Sequence, residues 1–210
     1  MAADLRAKLD EGCAALSIDL SDIQKQQLLD YVALLVKWNK VYNLTSVRDP
    51  AQMLSRHIID SLSVLPYLEA SSLLDVGTGG GLPGIPAAIA YPDCAVTLLD
   101  SNSKKTRFLQ QVKAELGLSN VTVVHGRVEQ VSLPQFAIIT ARAFASIDDI
   151  LDLAGQHCEQ GGRLVLMKGV YPEQELQFDS DQFRLLDVVS LNVPACDGER
   201  HLVRLIKDQG

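Results

Sequence analysis

The 210-residue sequence contains no apolar run long enough to cross a bilayer. Its longest, around Leu28 to Val36, is interrupted by Asp30 and ends at Lys37, and the amphipathic N-terminus carries no apolar segment of the signal-peptide kind. These absences argue against a membrane role and make the cytoplasm the expected compartment. Cysteine is sparse and dispersed. Cys13, Cys94, Cys158 and Cys196 form no CxxC pair, and His157 beside Cys158 does not make a ligand set. The pattern excludes a disulfide framework and a structural zinc site, and reads as thiols kept in a reducing compartment. Positive charge is also short: a net charge of −7 excludes a protein that coats nucleic acid indiscriminately, because neutralising phosphates takes clustered Lys and Arg. A local basic face remains open. Internal repeats and low-complexity linkers are missing too.

What is present suits a folded α/β chain. Hydrophobic content of 47% against 21% charged residues is ordinary for a buried core, and the length fits one core with a modest extension. The first third reads as helical. Ser21-Asp22-Ile23-Gln24 is a capping-box pattern, followed by Leu28, Leu29, Val32, Leu35 and Val36 at helical spacing. Asp49 then caps a second helix with Pro50 at its first position, and Leu54, Ile58, Leu62 and Leu65 form an apolar stripe that Pro66 terminates. We expect residues 1–67 to be a helical extension packed on a core of residues 68–210.

From Leu73 the period changes. Leu73 to Val76, Ala95 to Leu99, Val121 to Val124, Ala137 to Thr140 and Arg163 to Met167 read as strands. Between them lie a small-residue helix through Ile89, a helix marked by Phe108, Leu109, Val112 and Leu116 that stops at Gly117, and a helix from about Ile147. Such alternation builds right-handed βαβ units on a parallel sheet. At the end, Leu185 to Val193 and His201 to Ile206 are separated only by a turn segment, so they should pair antiparallel. The expected fold is therefore α/β and Rossmann-like: a mostly parallel seven-stranded sheet ending in an antiparallel hairpin, the layout of class I methyltransferases.

The first strand turns into the first helix through Asp75-Val76-Gly77-Thr78-Gly79-Gly80-Gly81-Leu82-Pro83-Gly84, the ligand crevice of a doubly wound sheet. A dinucleotide fingerprint starting at Gly77 would need glycine where Leu82 stands. The loop has no Lys or Arg for a triphosphate. Asp75 instead suits a ligand carrying a cationic ammonium, such as the methionine portion of S-adenosylmethionine, while Gly77, Gly79 and Gly81 let the backbone approach it. Asp100, closing the second strand, is placed to accept hydrogen bonds from ribose hydroxyls. The turn His125-Gly126-Arg127-Val128-Glu129 after the third strand should flank an adenine, with Val128 as an apolar contact.

Six segments together resemble one family, the bacterial GidB (RsmG) ribosomal RNA methyltransferases: Trp38 to Thr45, Arg56 to Ser61, Asp75 to Pro86, Ala141 to Ser146, Lys168-Gly169 and Glu199 to Val203. The resemblance spans nearly the whole chain. It implies methyl transfer from S-adenosylmethionine to N7 of a guanine in the 530 loop of 16S ribosomal RNA, free or in a 30S assembly intermediate, by a monomer. It also implies cofactor contacts at Gly77, Leu82, Val128, Glu129 and Arg142; Val128 departs from the small or acidic residue expected there. Guanine N7 has an in-plane lone pair and no proton, so that reaction needs alignment and no general base. The fourth-strand end agrees: Thr140-Ala141-Arg142-Ala143-Phe144 lacks the Asn/Asp-Pro-Pro-aromatic clamp of exocyclic-amine methyltransferases. Arg142 is then a positioning residue, on the cofactor carboxylate or a phosphate, since binding N7 itself would block the reaction.

Candidates for the RNA face are Arg127, Lys168, Arg200 and His201, with Phe144 as a stacking partner for the flipped base. Lys37, Lys40, Arg48, Arg56 and His57, interleaved with Trp38 and Tyr42, form a second basic patch, although Trp38 can equally anchor the helical segment to the sheet. Asn39 and Asn43, four apart, are placed to cap or bond backbone beneath the cofactor site. Two rival readings stay open. A methyltransferase of a small molecule or protein would bind the cofactor yet leave ribosomal RNA untouched; a non-enzymatic nucleotide module would prefer NAD or FAD.

Overall fold

A computed structural model describes residues 2–142 and 145–209 of the chain. Helix α1 (Ala2–Ala15) is followed by α2 (Asp22–Tyr42), which starts in a reciprocal capping box between Ser21 and Gln24. It ends where Asn43 takes the left-handed conformation, φ 49°. Asp49 caps α3 (Pro50–Met53) by accepting from the Gln52 amide. The helix then widens into a π-helical turn, Leu54–Ile59, before closing as α4 (Asp60–Leu62). The apolar stripe predicted for this helix is real, since Leu54, Ile58, Leu62 and Leu65 are all buried. The helix nevertheless stops at Leu62, and Leu65 and Pro66 form a separate single turn.

The sheet strands are β1 (Ser72–Val76), β2 (Ala95–Asp100), β3 (Val121–His125), β4 (Phe136–Arg142), β5 (Cys158–Lys168), β6 (Phe183–Ser190) and β7 (His201–Lys207). Helices α5 (Gly84–Ala90), α6 (Ser103–Leu116) and α7 (Ile147–Ala154) cross between them. Strand order is β3-β2-β1-β4-β5-β7-β6, parallel except for β7, which runs antiparallel to both neighbours. Order reverses between β1 and β4, which opens a crevice at their carboxyl ends.

Strand alternation sorts adjacent apolar residues onto two cores. Leu73, Leu98 and Ile138 face one, shared with α1, α2, the π turn, α5 and α6; Leu74, Leu99 and Ile139 face the other, under α7 and β6. Trp38 settles its role here: it stacks on Tyr42 and packs at 5.6 Å from Phe108 of α6, anchoring α2 to the core. At the hairpin, β6 ends at Ser190, earlier than predicted, and a hydrogen bond from the Leu191 amide to the Arg200 carbonyl follows it into the closing turn. A bulge between Leu185 and Asp187 leaves Leu185 and Leu186 both exposed on this edge strand.

Candidate functional site

The glycine bend begins where β1 ends. Asp75 is fully buried beneath it: Oδ2 accepts from the Thr78 hydroxyl at 2.7 Å and from the Gly84 amide at 2.8 Å. Burial lifts its carboxyl to about 6, against the pull of those two hydrogen bonds. The carboxylate braces the bend from below, its side chain lying against Gly84 at the start of α5. Its Oδ1, buried, has no hydrogen-bond partner among the described residues. Gly84 is glycine for the same reason, since a Cβ there would stand 2.2 Å from Leu98 and 2.7 Å from the Asp75 carboxylate. Gly81 also packs inward. At φ 96° it turns inward, where a Cβ would meet Ile85 and Leu109 at under 3 Å, so it permits packing rather than ligand approach.

Gly77, Gly79 and Leu82 do face the crevice, which has two lobes meeting at Gly77 and Lys105. The first, about 500 Å³, is lined by Asp100, Val128 and Glu129. Asp100 Oδ2 accepts from the Gly79 amide at 2.9 Å and sits 3.5 Å from the Lys105 ammonium, while Oδ1 accepts from the Asn102 amide. It thus ties β2 to the glycine bend. Arg127, largely exposed, lies 3.8 Å from Glu129.

The second lobe, about 480 Å³, joins the glycine bend to the N-terminal helices and the hairpin. Arg142, at the end of β4, donates to Asp60 Oδ2 at 3.3 Å, and Arg200 donates through Nε to Asp60 Oδ1 at 2.8 Å. Asp60 is 3% exposed, and all three residues line the lobe. His57, on the π turn, bonds Thr45 Oγ1 through Nε2 at 2.8 Å. Burial first, and the Arg142 charge second, hold its imidazole down to about 4, so it is neutral at physiological pH. π turns recur at functional sites because the extra residue re-aims side chains.

Two of the other expected RNA contacts have partners within the chain. Lys168 borders the lobe, but its ammonium is committed to Glu175 at 2.6 Å and the Ala145 carbonyl at 2.9 Å. His201, at the start of β7, is buried against the Gly169 carbonyl and Tyr171. Phe144 lies outside the described residues. Of the second patch, Arg56 and His57 reach the lobe, whereas Lys37, Lys40 and Arg48 are exposed elsewhere. Asn39 does bond backbone, yet at the lobe's rim: it accepts from the Thr45 amide and donates to the Val47 carbonyl.

Sequence reasoning missed Asp60, Lys105, Thr78 and Tyr31. Tyr31, buried on the apolar face of α2, donates its hydroxyl to the Gly80 carbonyl, linking the helical segment to the bend. Its place between Leu28 and Val32 on the same helical face was the available signal.

Similarity to known proteins agrees with this geometry. The family model described as GidB, rRNA small subunit methyltransferase G, matches residues 24–203. A relative named ribosomal RNA small subunit methyltransferase G from Stutzerimonas stutzeri is 52% identical over 202 residues, covering 94% of each chain. One of the same name from Neisseria meningitidis is 49% identical, covering 96% of this chain and 98% of its own. Among solved structures, a SAM-dependent methyltransferase from Aquifex aeolicus superposes with TM-score 0.60 at 19% identity, over 79% of this chain and 97% of that one, a likeness of fold alone. With its glycine bend, its two-lobed crevice and this span of sequence identity, the chain belongs to the rRNA small subunit methyltransferase G family.

Proposed function

We propose that the protein transfers a methyl group from S-adenosylmethionine to N7 of a guanine in the 530 loop of 16S ribosomal RNA, as a cytoplasmic monomer acting on the RNA free or in a 30S assembly intermediate. Family membership carries the reaction class and the donor. The observation that supports the reading most is the crevice itself: two lobes of different character meeting at the glycine bend. Asp100, Val128 and Glu129 would hold the adenosine portion, and Gly77, Gly79, Leu82 and Arg142 the amino-acid portion. The residues fit, because the acid-lined lobe suits ribose hydroxyls and the Arg-lined lobe suits a carboxylate. When bound, the donor supplies an electrophilic methyl on a sulfonium.

What the chain contributes is alignment. Guanine N7 has no proton to lose, so no side chain need act as a base, and well-aligned reactants can gain roughly 7–11 kcal/mol from proximity alone. Neutral His57 and the fully engaged Asp60 agree with a site without a base. In the same reading residues 1–67 form a helical extension on a core of residues 68–210, and contribute the π-turn side of the second lobe.

The test is incubation with labelled cofactor and ribosomal RNA from a strain lacking the enzyme, followed by mapping of the modified base. The expected product is an N7-methylguanine in the 530 loop, lost in Asp75→Ala and Arg142→Ala variants. Label on another base would refute the target. Cofactor binding without any labelled RNA would favour a small-molecule or protein substrate.

A further inference from the structure

Among the described residues lining the second lobe Asp60 is the one acid, and it stands between two arginines from distant parts of the chain. Arg142 ends β4, beside β1, where Ala141 pairs with Val76 immediately before Gly77. Arg200 precedes β7, on the far side of β5, where His201 pairs with Lys168. The two guanidinium groups are each about a quarter exposed and would repel one another without the carboxylate between them. Each spends one donor on Asp60, and Arg200 a second on the Glu199 carbonyl. A guanidinium carries five N–H donors in a rigid plane, so fixing one edge fixes where the others point.

We propose that Asp60 is a positioning residue that yokes Arg142 and Arg200 into a two-sided anion receptor, so that a carboxylate on the donor side and a phosphate on the RNA side bind cooperatively. The placement argues for the division. Arg142 adjoins the glycine bend, while Arg200 sits in the hairpin turn just before β7, and exposed Arg56 lines the same lobe. An anion held by one arginine pins that guanidinium and, through it, the Asp60 carboxylate, so the other arginine has less freedom left to lose when its own anion arrives. The inference rests on the RNA methyltransferase reading above.

By linkage, S-adenosylhomocysteine should tighten binding of unmodified 16S ribosomal RNA, free or assembled into 30S particles, by the same factor as that RNA tightens S-adenosylhomocysteine, about tenfold. Asp60→Asn, which keeps the shape but removes the charge, should bring that factor close to one, and Asp60→Glu should restore part of it. Arg200→Lys should weaken RNA binding and flatten its salt dependence by about one phosphate contact, with cofactor affinity held in the absence of RNA; Arg142→Lys should do the reverse. An unchanged coupling factor in Asp60→Asn overturns the proposal, as does an Arg200 variant that weakens the cofactor as much as the Arg142 variant. Should Asp60→Asn fail to fold, the Arg142→Lys, Arg200→Lys double-mutant cycle reads the same quantity, and strictly multiplicative effects overturn it. Wild-type protein that labels ribosomal RNA but shows intact coupling in Asp60→Asn sinks this inference alone; wild-type protein that labels no RNA sinks the reading beneath it as well.

Discussion

The two lobes of the crevice share Gly77 and Lys105 but differ in how they are made. The first is assembled from the ends of β1, β2 and β3 and the turns that follow, elements that any doubly wound sheet supplies. The second takes one wall from the same glycine bend and the others from α2, the π turn and the C-terminal hairpin. Its charges are also arranged differently. In the first lobe Asp100 holds backbone amides and a lysine; in the second, Asp60 holds side chains brought from positions 82 and 140 residues away. The difference teaches where specificity is added to a common fold. In the reading proposed above, the lobe built by the sheet would hold the adenosine portion of the donor, and the lobe built by the appended helices and hairpin would bring its amino-acid portion to the acceptor.

The largest effect that tests this division is expected from Arg142→Ala. Removing one preorganised cationic donor from a reacting site costs about 3–4 kcal/mol, or about a hundredfold to a thousandfold in rate. Methyl transfer should fall by that amount while adenosine alone, titrated calorimetrically, binds as to the wild type. Equal loss of adenosine binding would show the lobes acting as one and break the comparison.

A smaller effect separates the buried titrating groups of the two regions. Burial raises Asp75 to about 6, so the native chain keeps a proton that the unfolded chain has released, and stability from this group falls as pH rises through roughly 4 to 6. His57 is held down to about 4, so the unfolded chain gains a proton that the native chain refuses, and stability falls as pH drops from roughly 6.5 to 4. Urea unfolding of Asp75→Asn and His57→Gln across that range should give differences from wild type that slope in opposite directions, each spanning on the order of 2 kcal/mol. A flat difference for either variant would mean that its group is solvated in the native chain.

Glycines at the base and at the rim sharpen the contrast further. At Gly84 a Cβ collides with Leu98 and Asp75, whereas at Gly169, on the rim of the second lobe, it meets nothing within 4 Å. Gly84→Ala should cost about 1–3 kcal/mol, as overpacking of a core does. Gly169→Ala should change stability by under about 0.5 kcal/mol. Thermal unfolding of the two variants measures both, and a tolerant Gly84 would mean the bend can shift away from Asp75.

The sheet and the first lobe were legible in the sequence because each rests on a local pattern. Capping residues at Ser21 and Asp49, short apolar runs for the strands, and a glycine cluster directly after the first strand locate their own elements. Asp100 and Val128 could be placed by topology alone. The second lobe was legible only in pieces, with Arg142, Arg200 and Lys168 named one by one and their meeting point unseen: Asp60 reads as the polar face of an amphipathic helix, and only the π turn and the return of the hairpin bring it to Arg142 and Arg200. Glycine spacing likewise does not reveal that Gly81 faces a helix and not the ligand side, since both tasks require the same missing Cβ. Lys168 and His201 lay at the right strand ends, but exposure depends on neighbours such as Glu175 and Tyr171 that no local pattern pairs with them.

Lys168 gives the smallest effect and the most discriminating one. Its ammonium bonds Glu175, whose same carboxylate oxygen accepts from the Ile147 amide at the start of α7, and it bonds the Ala145 carbonyl just before that helix. The network holds the first turn of α7 against the end of β5. Replacing a lysine in a half-buried ion pair of this kind costs about 1 kcal/mol or less, and that loss should appear in amide exchange at the start of α7. RNA affinity of Lys168→Met should stay within about threefold of wild type with an unchanged salt slope, whereas a lysine that met a phosphate would take about one unit of slope with it. A full unit lost would return Lys168 to the RNA face and move the boundary of the second lobe outward, past β5.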